Sequence, residues 1–400
     1  MHQLAALRHR GFRLLWTATL LSATARWADM VVIGWLTLEL TNSALMVGIV
    51  AGSKMAGYFA APFMGVIADR MDKRRLLILA AVINVAVSAF MLLLFATGLL
   101  QLWHVIALAL VSSLTWSADH PTRQAFVPEL VDKEHLTNAI ALNAVAVEIT
   151  VVVGPALGGV LIPVLGMSGA YALIAAIYVF DTIVLCMLPS SKHVAANVAE
   201  SPAKSLVGGL RYVWSNQTVL VLLVVACLLN MLAAPYRYAF LPVFARYVLD
   251  TGPAGYGMLT AMAGVGAFVA GLWVVTMGNF RGKGRLLVWM ALAWPLSLLA
   301  FAASTSYTLS LALVFAAGLT QAIVWTVIAT LILGYTAPEM RGRVMGLRSG
   351  VVSSLPLGNL LAGAAAERIG PAWAQGAYAV AALVVMVGVV LKVPSLYRSD

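Results

Sequence analysis

Six ionisable side chains stand well inside long apolar stretches of the 400-residue chain: Arg26, Asp29, Lys54, Glu148, Asp181 and Arg237. Asp119 and His120 lie nearer the end of a further stretch. A charge at the centre of a bilayer costs about 2.5–3.5 kcal/mol even on the lenient insertion scale, so each group must pair, reach water or lose its charge. Arg26 and Asp29 are three residues apart on one helical face and can partner each other, as a structural or a functional pair. Glu148 has no opposite charge within a turn of its own helix, so it must find Arg26, Lys54 or water, or be protonated. The chemistry on offer is reversible proton binding by a carboxyl, with Glu148 ranked first, Asp29 second and Asp119 third. Glu148→Gln is expected to abolish proton exchange and leave membrane insertion intact. Asp181 reads as structural.

No catalytic constellation accompanies these groups. The histidines (His2, His9, His104, His120, His135 and His193) are scattered, and there is no GxSxG, Walker or HExxH pattern. Ser117, Asp119 and His120 are the best assembly available, and they sit on one helix without triad geometry. Cys186 and Cys227 lie in apolar stretches with no metal or disulfide spacing and read as two buried thiols. Neither a metal, a cofactor nor an enzymatic activity is expected.

The elements that must position the buried charges are helices. Hydrophobic residues make up 62% of the chain and charged ones 10%, far from the composition of a soluble domain. Apolar stretches fall at about 14–38, 43–68, 76–97, 101–124, 138–163, 167–189, 216–246, 254–278, 286–304, 307–334, 344–366 and 371–393. Each is long enough for a bilayer helix of roughly 20 residues, and none shows the alternation of a membrane β-barrel. The expected fold is an all-α membrane protein of twelve transmembrane helices. The apolar run beginning after Arg13 continues past Ala23-Thr24-Ala25 to Leu40, which reads as an uncleaved first span.

Charge sets the orientation. Among the 25 Lys and Arg residues, Arg26, Lys54 and Arg237 fall within spans and only Arg246 and Arg368 on one face; the rest fall in connections on the face of the N-terminus. The positive-inside rule then puts both termini in the cytoplasm, and the net charge of +10 is this asymmetry rather than a nucleic-acid patch. The longest polar connection divides the chain into a six-helix bundle at 1–189, a cytoplasmic linker at 190–215 and a second six-helix bundle at 216–400. Lys73-Arg74-Arg75-Leu76-Leu77 recurs as Lys283-Gly284-Arg285-Leu286-Leu287, and Pro128-Glu129 as Pro338-Glu339, with a shared offset of 210. A half-chain repeat with an even number of spans implies two parallel bundles and a substrate site between them near the midplane.

The stretch from Gly65 through Asp69, Arg70, Asp72, Lys73, Arg74 and Arg75 resembles the loop signature of the major facilitator superfamily. Pro121-Thr122-Arg123-Gln124, Gly154-Pro155 with Gly158-Gly159, Leu241-Pro242 and Ala263-Gly264 with Gly266 resemble its bacterial exporter branch, which includes macrolide-efflux and siderophore-export permeases. The likeness runs from Phe12 to about Pro394. Departures are Asp72 in place of the usual glycine, Thr150 in place of the first glycine of the antiporter signature, Arg26 where many relatives have an acid before the tryptophan, and Asn279 opposite Asp69 in the repeat.

The resemblance implies roles. Asp69 facing a helix N-terminus would act as a latch, with Arg70, Lys73, Arg74 and Arg75 pairing to nearby acids. Gly154, Pro155, Gly158 and Gly159 form an antiporter-like motif whose small residues admit a neighbouring backbone, for packing or for bundle rocking. The substrate cavity would be lined by Arg26, Trp27, Trp116, Asn230, Tyr236, Arg237, Tyr238, Gln321 and Trp325, an aromatic set suited to an amphipathic ligand. The expected function is proton-coupled export of drug-like or siderophore-like small molecules by a monomer in the bacterial inner membrane. A lysophospholipid or metabolite transporter of the same fold is the alternative, and a membrane-embedded enzyme or sensor the remote one. Partners are a small-molecule substrate, protons and the lipid bilayer, with no nucleic acid.

Overall fold

The computed structural model describes residues 2–60, 64, 71–190, 202–277 and 282–392, and among them every regular element is helical. In chain order the α-helices are α1 (Arg10–Thr41), α2 (Ala44–Met55), α3 (Lys73–Ala96), α4 (Leu102–Phe126), α5 (Leu136–Cys186), α6 (Pro202–Ser215) and α7 (Gln217–Leu232). They continue as α8 (Phe240–Tyr247), α9 (Gly252–Met277), α10 (Lys283–Ala302), α11 (Tyr307–Tyr335), α12 (Arg341–Val351), α13 (Leu355–Ile369) and α14 (Pro371–Lys392). Nine helical segments among the described residues are long and apolar enough to cross a membrane. Helix α1, with 32 residues, is about 48 Å long against a hydrocarbon core of about 30 Å.

Local chemistry sets the boundaries. Helix α1 stops at Asn42, whose φ of 49° is left-handed and whose N–H donates to the Leu38 carbonyl at 2.9 Å. Asp72 caps α3 by accepting from the Arg75 N–H at 2.8 Å. The fifth and sixth apolar stretches run on as one 51-residue helix whose only non-helical backbone is at Gly166, φ 68°. The expected turn is thus reduced to one glycine, placed where a side chain would be strained.

Two stretches read as single spans are broken. The seventh, 216–246, consists of α7, a 3-10 turn at Ala234–Arg237 containing Pro235, and α8. Pro235 has no N–H to donate, and the Tyr238 and Ala239 N–H groups both bond back to its carbonyl, at 3.2 and 2.9 Å. The eleventh, 344–366, is split into α12 and α13 by a 3-10 turn at Val352–Ser354 ahead of Pro356. The stretch read as linker, 190–215, contains the amphipathic helix α6, where a Cβ at Gly209 would stand 3.2 Å from Leu347 Cδ1 and 3.3 Å from Arg343 Cβ of α12.

The chain forms two compact units: the described parts of 1–42, 53–197 and 253–257 make one, and those of 43–52, 198–252 and 258–400 the other. In the first, α1, α3, α4 and α5 enclose a core that includes Phe12, Leu15, Leu77, Phe126 and Leu185. In the second, buried aromatics dominate: Phe244 lies 4.5 Å from Phe301, and Phe240 meets Tyr378 edge-on at 5.5 Å. A side-chain-to-carbonyl bond ties helices together inside each unit. Trp16 Nε1 donates to the Leu142 carbonyl at 2.9 Å, and Asn230 Nδ2 to the Val352 carbonyl at 3.3 Å.

Candidate functional site

In the first unit the buried charges converge. Helix α1 contributes Asp29, the end of α2 Lys54, α4 Asp119 and Arg123, and α5 Asp181, none of them more than 9% exposed. Lys54 Nζ pairs with Asp29 and donates to Ser112 Oγ at 3.0 Å. Arg123 sits one turn after Asp119, so its Nε donates to Asp119 Oδ2 at 2.8 Å while Nη2 reaches Asp181 Oδ2 at 3.3 Å. Two carboxylates therefore share one guanidinium. Breaking such a buried pair by removing one partner costs about 3–5 kcal/mol, which makes these contacts decisive for how the helices seat.

A cavity lies among these groups, lined by Ser22, Arg26, Lys54, Asn84, Trp116, Asp119, Tyr178 and Asp181. A second is lined by Asp29, Lys54, Ser88, Met91 and Tyr171. Lys54 borders both. The Tyr171 hydroxyl and Arg123 Nη1 are buried with no hydrogen-bond partner among the described residues. Along the wall of the first cavity the Arg26 guanidinium lies 3.9 Å from the centroid of the Trp116 ring, whose plane in turn stacks on His120 at 4.8 Å.

Several expectations need correction. Asp29 does not partner Arg26; Lys54 takes its carboxylate, and Arg26 makes no ion pair among the described residues. Glu148 is exposed on α5 rather than buried, and does not line this cavity. Asp181, read as structural, is buried against Arg123 and also lines the cavity. Arg123, counted as a cation of a connection, is 3% exposed within α4. Ser117 donates back to the Leu114 carbonyl of its own helix at 2.7 Å, and His120 meets Gln124 at 3.2 Å, so no Ser-His-Asp relay forms. Cys186, read as buried, is exposed at the end of α5.

The candidates in the second unit separate into different settings. Asn230 Nδ2 donates to the Val351 and Val352 carbonyls and to Ser354 Oγ at 3.2–3.3 Å, holding the break between α12 and α13. Tyr236 donates to Gln321 Oε1 at 3.2 Å. One turn further along α11, Trp325 meets Trp294 edge-on at 6.3 Å. Arg237 is buried and reaches the Thr260 carbonyl at 3.5 Å, while Tyr238 is half-buried where the helix is interrupted.

In the glycine motif, a Cβ on Gly154 would stand 2.5 Å from Trp27 Cβ, and one on Gly158 2.5 Å from the Ala28 carbonyl oxygen. These glycines, with Pro155 between them, let α5 lie directly on the α1 backbone beside Arg26 and Asp29; Gly159 packs likewise on Gly257. In the basic loop Lys73 pairs with Glu129 at 2.5 Å and Arg74 donates to the Cys186 carbonyl, while Arg75 supplies the N–H that Asp72 caps. Gly65, Asp69 and Arg70 lie outside the described residues.

Apolar helices arranged in a half-chain repeat are a feature of membrane transporters. All 400 residues match the family described as transmembrane secretion effector, and the chain belongs to this family of major facilitator exporters. It is similar to macrolide efflux protein A of Streptococcus pyogenes, 22% identical over 90% of each chain. It is also similar to the enterobactin exporter EntS of Citrobacter koseri, 27% identical over 78% of this chain and 71% of that one. Among solved structures the nucleoside transporter NupG superposes with a TM-score of 0.78 over 97% of this chain and 99% of its own, at 12% identity, a likeness of fold. The protein is accordingly a multi-pass membrane transporter of the efflux type.

Proposed function

We propose that the protein is a proton-coupled exporter of amphipathic small molecules that works by alternating access as a monomer in the bacterial inner membrane. In this reading twelve spans form bundles at 1–189 and 216–400 joined by 190–215, with both termini cytoplasmic. One observation carries the coupling: Asp119 and Asp181 share Arg123 in a buried site beside a polar cavity. Because the trio has one carboxylate more than it has guanidinium, a proton can join either acid while Arg123 keeps a partner. Protonating Asp29 would instead leave Lys54 charged and buried, so the Asp119–Asp181 pair is the better proton carrier and Asp29 the second. Glu148 takes third place for want of burial.

Substrate contact is assigned to Arg26, Trp27 and Trp116 in the first half and to Tyr236, Arg237, Tyr238, Gln321 and Trp325 in the second. Arg26, supported on an aromatic face and free of any ion pair among the described residues, suits an anionic or π-rich group on the substrate. That chemistry is compatible with siderophore-like cargo, and the macrolide and enterobactin specificities of the relatives bracket the class. The test is proton movement in everted inner-membrane vesicles, read with a pH-sensitive dye as lipophilic cations, macrolides and catecholates are added. Substrate-driven proton release by the wild type and its loss in Asp119→Asn is the expected result. Unchanged release in Asp119→Asn and in Asp181→Asn, with loss in Glu148→Gln, would move coupling to the exposed face of α5.

A further inference from the structure

Two histidines 126 residues apart in sequence come together outside the buried cluster. His9 is the N-cap residue immediately before α1, and His135 ends the 3-10 turn Lys133–His135 that leads into α5. His9 Nε2 and His135 Nδ1 are 3.1 Å apart, and Asp132 Oδ2 lies 3.8 Å from the same His9 nitrogen. The three potential ligand atoms all lie within 4.8 Å of one another. Around a tetrahedral metal with bonds of about 2.0–2.1 Å, neighbouring ligand atoms stand about 3.3 Å apart. The His9–His135 edge already has nearly that length, and Asp132, whose side chain is 79% exposed, is free to close the remaining gap.

The pair is held by packing on both sides. Ala6 N donates to Asn138 Oδ1 at 3.0 Å, tying the segment before His9 to the first turn of α5. Ala6, Phe12, Leu130 and Ala139 all belong to the core of the first unit. The imidazoles therefore do not have to be gathered from mobile chains, and the ordering cost of forming a site is largely met by the fold.

The geometry points to a binding site for a divalent transition metal, with His9 Nε2, His135 Nδ1 and one Asp132 oxygen as ligands and water in the fourth position. Two imidazoles and one carboxylate suit zinc, cobalt, nickel or copper rather than calcium or magnesium, which require an oxygen cage. Arg8, Arg10 and Lys133 flank the site in sequence, so binding must come from nitrogen coordination and not from a negative field. A bound ion would clamp the start of α1 to the start of α5.

The experiment uses the full-length protein in detergent without a polyhistidine tag. Cobalt is titrated and followed by visible absorption, then displaced by zinc followed by calorimetry. One equivalent of cobalt with the intense band of a four-coordinate ion is expected. His9→Ala and His135→Ala should abolish it, Asp132→Asn should weaken zinc binding at least tenfold, and His193→Ala should leave it unchanged; loss of even an outer-shell partner costs 10–100-fold. Should the histidine variants fail to fold, Asp132→Ala decides, since that side chain is exposed. Wild-type protein without saturable binding below millimolar zinc, or Asp132→Ala binding as tightly as wild type, would overturn the site.

Discussion

Arg123→Met is the perturbation that asks most of the buried cluster. The substitution keeps the apolar stem and removes the guanidinium, leaving Asp119 and Asp181, 6% and 1% exposed, facing each other with no cation between them. Removing one partner from a buried ion pair costs about 3–5 kcal/mol, because the remaining charge keeps its desolvation cost and loses its compensation. That corresponds to a factor of roughly 10² to 5 × 10³ in the folding equilibrium. Asp181→Asn should cost less, about 1–3 kcal/mol, since Arg123 keeps its 2.8 Å bond to Asp119. The triple variant Asp119→Asn, Arg123→Met, Asp181→Asn has no charge left to strand and should return to within about 1–2 kcal/mol of wild type. Denaturant titration of the purified proteins in one detergent, with helicity and tryptophan fluorescence read in parallel, measures all three. If Arg123→Met costs under about 1 kcal/mol, or the triple variant is as unstable as Arg123→Met alone, the ion pairs do not hold the unit together and the reasoning fails.

Lys54→Met should destabilise by about 3–5 kcal/mol and Lys54→Met with Asp29→Asn by less, a sub-additive cycle that the same titration reads out. Asn230→Leu removes an amide whose two N–H groups are shared among three acceptors at the α12–α13 break, and leaves two carbonyls to find other donors. A loss of about 1–3 kcal/mol is expected, and faster backbone amide exchange around Val352–Ser354 should accompany it. Gly158→Leu would drive a side chain into the Ala28 carbonyl oxygen and should abolish monodisperse expression on size-exclusion chromatography, with Gly158→Ala intermediate.

The glycine motif shows how far sequence reading reached. Spacing alone marked Gly154, Gly158 and Gly159 as a surface for close helix approach, because small side chains have one obvious use in lipid; which backbones they would receive was open. The loop cation Lys73 was expected to find an acid, and Glu129 is that acid. Arg123, by contrast, was misplaced: a basic residue at the end of an apolar stretch looks like a loop anchor, and only its position against Asp181 on another helix shows it to be buried. The i, i+4 spacing of Asp119 and Arg123 was the one available signal. Glu148, read as a buried carboxyl, is exposed on α5, a distinction that hydropathy along one helix does not carry.

Composition, charge asymmetry and the 210-residue repeat, read from the chain alone, determine an all-helical membrane protein built from two related halves, and the loop and glycine motifs add the resemblance to the major facilitator superfamily. Those properties are sums and periods along the sequence, and a bilayer admits few folds that satisfy them. Partners among the buried charges were decided only by tertiary structure. Asp29 could reach Arg26 on its own helix, yet Lys54 takes it; Asp181 and Asp119, 62 positions apart, meet through Arg123; His9 and His135 meet across 126. Pairing energies depend on distances of a few ångströms between helices, and those distances follow from how glycines, prolines and core side chains seat one helix on another.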